Sequence, residues 1–371
     1  MFKFRCKSTV ATAVTIFVFF VALVVISPVH SCSLKDKEDV VFFNTFGHRN
    51  VEEGILTLNI HGWVFEKKEK SLWRGMARKI YGNKHDFPET DPEAATFKER
   101  FTYFFAHNVK DKELMIQIGK KEFQLPASQK NGHFKTVISL PVSELTPLNT
   151  TDWVSFRIHD GHTNSLKFSG QCNIIDKTGV SVISDIDDTI KISNILNERE
   201  KLRGVFLYPF TATKGTAKAY RQWEAEGAVF HYVTGAPWQL YPFWRDGAVN
   251  SGFPDGSFNM TNKDVSLLSI IKHEDENVVA FKEITIPEII KAHSERKFIL
   301  VGDCGQQDPE VYAKIYRLFP DQILHIFVRE IKEGDMSTER FEKAFKGVPA
   351  SLWDIFSDDT INLLQDFSIR R

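Results

Sequence analysis

Ser184-Asp185-Ile186-Asp187-Asp188-Thr189-Ile190 concentrates carboxylates directly behind an apolar run that begins at Val180. Carboxylates two residues apart at the end of an extended segment project from the same side of the chain. Asp185 therefore ends a strand and points at a ligand, while Asp187 sits in the following turn, within proton-transfer reach of a leaving oxygen. Phosphate esters resist attack because nucleophile and phosphate are both anionic. A divalent cation shared by Asp185 and a phosphate oxygen removes that repulsion and holds the groups in line. Asp187 then serves first as general acid and afterwards as general base. The same residues also read as an acidic turn capping the next helix through Asp188 and Thr189. A calcium loop is a further reading, but the Gly and terminal Glu of such a loop are missing.

Three more positions suit the same chemistry. Thr234, in His231-Tyr-Val-Thr-Gly235, places a hydroxyl at a strand end beside the backbone N–H groups of a glycine turn, which together hold a phosphate oxygen. Thr-Gly also opens ordinary turns. Lys282 follows the apolar pair Ala280-Phe281 and is expected ahead of the next strand. A fixed ammonium there offsets charge on a phosphoryl group, whereas an isolated Lys is ordinarily solvated. Asp303, in Gly302-Asp303-Cys304-Gly305-Gln306-Gln307-Asp308-Pro309, leaves the strand Phe298–Val301 and can complete the hard oxygen shell that Mg2+ prefers. Asp308 before Pro309 reads as a helix N-cap first and a metal ligand second.

Residues so far apart in sequence need a scaffold that converges them. Val180–Ser184, Ala228–Val233, Phe298–Val301 and Ile323–Val328 read as strands that end in polar residues, Arg329 closing the last. Helices are expected between them at Lys214–Glu226 (closed by Gly227), Ile286–Ser294 and Pro309–Phe319. Short apolar strands alternating with helices predict a parallel sheet covered on both faces, with ligands at the carboxyl ends of its strands. Upstream, residues 40–175 read as a β-rich domain. Leu56, Leu58 and Ile60 alternate with polar residues, as do Val154, Phe156 and Ile158, and Thr136–Leu140 ends at Pro141. Two helices interrupt it. One runs from Ser71 to Gly82; the other starts at Asp91-Pro92-Glu93 and carries Phe97, Phe101, Phe104 and Phe105 on one side. A catalytic domain at 176–335 and a helical extension at 336–371 complete the expected organisation.

The chain has 371 residues, 32 of them Phe, and a formal net charge of −1, which argues against nucleic acid as a partner. Lys3, Arg5 and Lys7 precede an uncharged run from Val10 to Ile26, broken by Pro28 and followed by Val29 and Ser31. Residues 1–31 thus read as a signal peptide cleaved near Ser31, with an uncleaved signal anchor as the alternative. Both place the catalytic part outside the cytosol, secreted or in the secretory pathway. Asn149-Thr150-Thr151 and Asn259-Met260-Thr261 are glycosylation acceptors by pattern. Cys172 and Cys304 lack metal-ligand spacing and read as buried thiols, a Cys32–Cys172 bridge being the alternative for the first.

Taken in order, the four elements resemble the haloacid dehalogenase superfamily. Asp185-Ile-Asp-Asp-Thr-Ile-Lys-Ile-Ser-Asn194, Phe230-His-Tyr-Val-Thr234 with Ala236-Pro-Trp-Gln-Leu240, and Phe298-Ile-Leu-Val-Gly-Asp303 with Gln307-Asp-Pro-Glu310 look like the actin-patch-protein type of phosphatidate phosphatase. The match departs at Gly235, Ala236 and Cys304. The resemblance implies an α/β fold: a haloacid-dehalogenase-like Rossmannoid parallel sheet, its cap small or absent, preceded by the β-rich N-terminal domain. It implies a phosphomonoesterase with Asp185 as nucleophile forming a phospho-aspartate, Asp187 as acid and base, Thr234 on the phosphate and Lys282 stabilising the site. It implies Mg2+ held by Asp185, the Asp187 backbone carbonyl and Asp303, and a phosphorylated lipid, phosphatidate foremost, as substrate. Pro237, Trp238, Leu240, Tyr241, Pro242, Phe243 and Trp244 either contact acyl chains or pack under the sheet. Peripheral membrane contact is expected of the basic amphipathic helix at Ser71, flanked by Lys67, Lys68, Lys70, Arg74, Arg78 and Lys79, unless that charge is a solvated face. The competing functions are a phosphatase of soluble phosphomonoesters or phosphoproteins and a secreted binding protein with an inactive hydrolase domain.

Overall fold

A computed structural model describes residues 34–67, 92–144, 152–159, 168–262, 275–332 and 334–369. The leader, the helix expected at 71–82 and Asn149 lie outside the described residues.

The N-terminal half contains β1 (Glu38–Phe42), β2 (Thr45–Asn50), β3 (Ile55–Glu66), α1 (Pro92–Phe104) and β4 (His107–Asn108). It continues with β5 (Met115–Ile118), β6 (Lys121–Gln124), β7 (His133–Pro141), β8 (Trp153–Ile158) and β9 (Ser169–Ile175). Among the described residues these strands form one sheet ordered β1-β3-β2-β9-β8-β5-β6, with β7 and β4 on the far edge of the long β3. The period-two pattern read for β3 holds: Leu56, Leu58 and Ile60 are buried, while Thr57 and Asn59 between them are half-buried. Leu140 and Ile138 of β7 and Val154, Phe156 and Ile158 of β8 join the same core.

The C-terminal half runs β10 (Val180–Ser184), α2 (Glu198–Phe206), α3 (Thr216–Ala225), β11 (Val229–Pro237), α4 (Tyr241–Asn250) and β12 (Ser257–Thr261). Then follow α5 (Asp275–Ala292), β13 (Lys297–Asp303), α6 (Asp308–Leu318), β14 (Ile323–Arg329), α7 (Thr338–Ala344), β15 (Trp353–Phe356) and α8 (Asn362–Gln365). Its strands pair in parallel in the order β12-β11-β10-β13-β14-β15. This is the expected parallel sheet, and the strands do not alternate because both faces are covered. On one face Val182, Phe230, Ile299, Val301 and Phe327 meet Phe206, Tyr220, Trp223 and Trp244. On the other, Ile183, Val233, Leu300, Ile326 and Val328 meet Ile286, Ile289 and Ile290 of α5 and Val311 and Ile315 of α6.

Two expectations change, and one open alternative is decided. Helix α5 begins well before Ile286 and runs through Pro287, so Lys282, still ahead of β13, lies within the helix and not in front of it. An internal proline costs about 3 kcal/mol of helix stability. Burying Ile286, Ile289 and Ile290 on the sheet offsets that cost, at roughly 1.5–3 kcal/mol for each large aliphatic side chain. The segment 336–371, expected to be helical, also supplies β15, which extends the parallel sheet beside β14. The aromatic stretch after Thr234 is packed: Trp238, Tyr241 and Trp244 are buried. They share a core with Phe43, Trp63 and Phe97 from the N-terminal half, and the Phe43 and Trp238 ring centroids are 4.1 Å apart. The two sheets therefore share an aromatic core across residue 176. Asp255 adds a polar tie, accepting from the Asn44 and Gln171 amides and pairing with Arg245. Asn259 lies on β12 with its amide nitrogen enclosed, which leaves no room for a glycan.

Candidate active site

From β10 the chain moves outward to β11 and β12, then returns across the sheet to β13 and proceeds to β14 and β15. The order reverses between β10 and β13, and in open parallel sheets the crevice outside the carboxyl ends at such a point is the ligand position. Asp185 follows β10 there and Asp303 ends β13. The Asp185 N–H donates to the Val301 carbonyl at 2.9 Å, so the strand ladder itself fixes the spacing of the two carboxylates.

Helices α5 and α6 close the crevice from one side. Lys282 Nζ lies 2.9 Å from Asp185 Oδ1 and 2.5 Å from Asp308 Oδ1. Asp308 Oδ2 accepts the Asp303 N–H at 3.3 Å, and Asp303 Oδ1 accepts the Gly305 N–H at 2.7 Å. Gly302 is required where α6 crosses the strand end, because a Cβ there would collide with the Asp308 side chain and the Tyr312 ring. Asp185, Lys282, Asp303 and Asp308 are each at most 2% exposed.

Burial on this scale decides the charge states. It pushes Asp185 up to about 7, although the Lys282 ammonium beside it pulls the other way. It holds Asp303 well above the ordinary carboxylate range, and repulsion from Asp308 and Asp185 adds to it. For Lys282, burial alone would lower the ammonium, but Asp185 and Asp308 outweigh burial and hold it above the ordinary lysine range.

Ligand oxygens of Asp185, Asp303 and Asp308 lie within 4.8 Å of one another, which among the described residues is the one group of this kind suited to a metal ion. Its donors are all hard carboxylate oxygens, and Asp303 Oδ2 is buried without a hydrogen-bond partner. Three carboxylates face one ammonium, so a divalent cation fits both the unpaired oxygen and the charge imbalance. The geometry differs from expectation in one respect. Asp308, read first as a helix cap, joins Asp185 and Asp303 in the cluster, while the Asp187 carboxylate is not among the clustered oxygens. The sequence pattern put Asp308 first as a cap because it opens α6 before Pro309; its burial against Lys282 arises from packing between α5 and α6.

Asp187 forms a second centre beside the first. Its Oδ2 accepts the Thr234 hydroxyl at 3.3 Å, and Thr234 Oγ1 in turn accepts the Ala236 N–H at 3.1 Å. Its Oδ1 accepts the Ser193 hydroxyl at 2.5 Å and lies 3.7 Å from Lys191 Nζ. Asp188, with φ of 57°, holds the loop: its carboxylate accepts the N–H groups of Ser193, Asn194 and Ile195. It is thus a capping carboxylate, for a loop instead of a helix. Arg329 at the end of β14 donates to the Asp188 carbonyl at 2.9 Å and pairs with Asp358. Sequence reasoning gave no role to Lys191 or Ser193. The available signal was a lysine set between Ile190 and Ile192 immediately after the acidic turn.

The pKa of Asp185 carries a pH prediction. Its folded value lies above the unfolded carboxylate value, so the metal-free protein binds an extra proton between pH ~4 and ~7. The associated stability is present at low pH and is lost as pH rises through about 7. A cation bound at the cluster would displace that proton, so any rise in melting temperature with Mg2+ is expected to be larger at pH 8 than at pH 6. Its affinity should increase at least roughly tenfold per pH unit below 7, because Asp303 is raised as well. A Mg2+-dependent shift that does not change with pH would show that Asp185 ionisation is not coupled to the cation.

Buried carboxylates, a paired ammonium and a metal-competent cluster thus meet at the switch point of the parallel sheet in a mixed α/β domain. Residues 180–330 match the family model described as "Phosphatidate phosphatase APP1, catalytic domain". The Saccharomyces cerevisiae phosphatidate phosphatase APP1 is 30% identical over 174 residues, which are 46% of this chain and 29% of that one. The Schizosaccharomyces pombe protein C29B5.04c is 27% identical over 256 residues, 63% of this chain and 40% of that one. The chain thus spans well under half the length of either relative. A solved carbohydrate esterase structure aligns over 88% of this chain and 95% of that one at 8% identity, but its TM-score of 0.21 supports no argument about fold.

Proposed function

We propose that this chain is a magnesium-dependent phosphomonoesterase of the haloacid dehalogenase type, acting through a phospho-aspartate on phosphatidate or a related lipid phosphate. The observation that carries the reading is the pairing of Lys282 with Asp185 inside the Asp303–Asp308 cluster, at the carboxyl edge of the sheet and beside Asp187 and Thr234. Asp185, Asp303 and Asp308 would hold Mg2+, with the Asp187 backbone carbonyl as the further donor. Bound there, the ion supplies Lewis-acid charge that lets an anionic nucleophile approach an anionic phosphate. Asp185 attacks phosphorus and the bond to the leaving oxygen breaks, with a proton from Asp187 going to that oxygen. Asp187 then takes a proton from the water that cleaves the aspartyl phosphate. Thr234 holds a phosphate oxygen, and Lys282 favours the ionised form of Asp185 against its burial and orients it.

The family match supports a lipid phosphate. So do Ile192 and Leu196, two exposed aliphatic side chains on the loop that carries Ser193. The secretory leader and peripheral membrane contact belong to the same proposal. Flotation with liposomes should recover more protein when phosphatidate is present than when it is absent, and equal recovery would favour a soluble substrate. A panel of phosphatidate, lysophosphatidate, diacylglycerol pyrophosphate and soluble phosphomonoesters tests the whole reading. Mg2+-dependent phosphate release is expected, fastest from phosphatidate. Release from soluble esters alone would redirect the substrate, and no release from any would leave a binding protein. Asp303→Ala should weaken Mg2+ by at least about 100-fold, with activity recovering partly at high Mg2+. Failure to recover would assign Asp303 another role.

A further inference from the structure

Lys191 is a lysine only 1% exposed, and nothing in the proposed reaction uses it. Placing an ammonium out of water costs several kcal/mol unless its surroundings compensate. Here they do so in one direction only. Nζ lies 2.7 Å from Ser193 Oγ, 3.7 Å from Asp187 Oδ1 and 4.9 Å from the centroid of the Trp244 ring. Ser193 Oγ sits between the two charges and donates to Asp187 Oδ1 at 2.5 Å. The loop that makes this possible is itself fixed: Asp188 takes the Ser193 N–H, and the Lys191 backbone pairs with Ile186 and Asp188.

The two oxygens of Asp187 are therefore unequal. Oδ1 is fastened by Ser193 and faces a buried cation, whereas among the described residues Oδ2 meets only the Thr234 hydroxyl at 3.3 Å, on the side where Thr234 would hold a phosphate. We infer that Lys191 and Ser193 are positioning residues that clamp Asp187 Oδ1, so that Oδ2 is the atom that delivers the proton to the leaving oxygen. This inference rests on the reading of Asp187 as general acid given above. The step balances without any further reactant: phosphorus gains a bond to Asp185 and loses its bond to the leaving oxygen, which takes the Asp187 proton.

A clamp on a general acid matters in proportion to how badly the leaving group needs a proton. Phosphatidate departs as a strongly basic alkoxide oxygen, whereas p-nitrophenyl phosphate departs as a stable phenolate. The test is kcat/KM on both, since kcat/KM reports events up to the first irreversible step and excludes hydrolysis of the phospho-enzyme. Lys191→Met and Ser193→Ala are each expected to lower kcat/KM about 30-fold on phosphatidate and no more than about threefold on p-nitrophenyl phosphate. Ser193→Ala removes a single hydroxyl, so it serves should Lys191→Met fail to fold. Equal losses on the two substrates, or none on either, would overturn the clamp and leave a structural role. Asp187→Asn, assayed in parallel, should show the same selective loss with a larger factor. If Asp187→Asn lowers both substrates equally, or the native protein hydrolyses neither, the general-acid reading fails and the clamp falls with it.

Discussion

Asp185→Asn is expected to lower phosphate release from any phosphomonoester by at least ~10^4-fold, because a neutral amide replaces the proposed nucleophile. The fold should survive. The Asp185 N–H still reaches the Val301 carbonyl, and Lys282 still pairs with Asp308. Removing one of three crowded buried carboxylates also relieves repulsion, so the metal-free melting temperature should hold or rise. Mg2+ binding should weaken in parallel, since Asp185 is one of the three clustered ligands. A thermal melt and a phosphate-release assay on the same preparation separate these effects. Activity close to native would place the nucleophile elsewhere.

Lys282→Met should damage both stability and catalysis. Among the described residues the ammonium is the one cation within hydrogen-bond reach of both Asp185 and Asp308, and Met leaves three carboxylates facing one another without it. Removing one partner of a buried pair costs about 3–5 kcal/mol. Part of that cost is absorbed, because Asp185 and Asp303 are already raised by burial and take protons readily. A fall of roughly 5–10 °C in the metal-free melting temperature is expected. The loss in turnover should be about 10^2–10^3-fold, the scale found when one charge-stabilising group is removed from an active site. Added Mg2+ should restore stability more fully than activity, because it replaces charge in the cluster but not the ammonium that orients Asp185. A variant with a native melting temperature in the absence of metal would mean the carboxylates do not depend on Lys282.

The parallel sheet was legible because its strands are short apolar runs buried on both faces, each ending in a polar residue. Asp185 and Asp303 could be placed for the same reason: their strands β10 and β13 are neighbours, and both carboxylates lie at the carboxyl edge. The position of Lys282 was not legible. Pro287 marks a helix boundary in sequence, whereas in the fold the buried isoleucines of α5 carry the helix through it. Asp308 was hidden by its own good capping context, and only packing between two helices distant in sequence brings it against Lys282. Lys191 was hidden because a lone lysine is normally solvated; its burial depends on Trp244, which arrives from α4. Likewise, the aromatic stretch around Trp238 could face a ligand or a core. Phe43 and Trp63, from the N-terminal half, decide for the core.

Asp185, Lys282, Asp303 and Asp308 converge in space, and their proposed purpose is a phosphoryl group carried transiently on Asp185. Rapid acid quenching during turnover of phosphatidate labelled in its phosphate, followed by location of the labelled peptide, tests this directly. A hydroxylamine-labile label on the peptide containing Asp185, absent from Asp185→Asn and from reactions without Mg2+, is the expected result. Phosphate release at full rate with no label on that peptide, or a label that persists in Asp185→Asn, would contradict it.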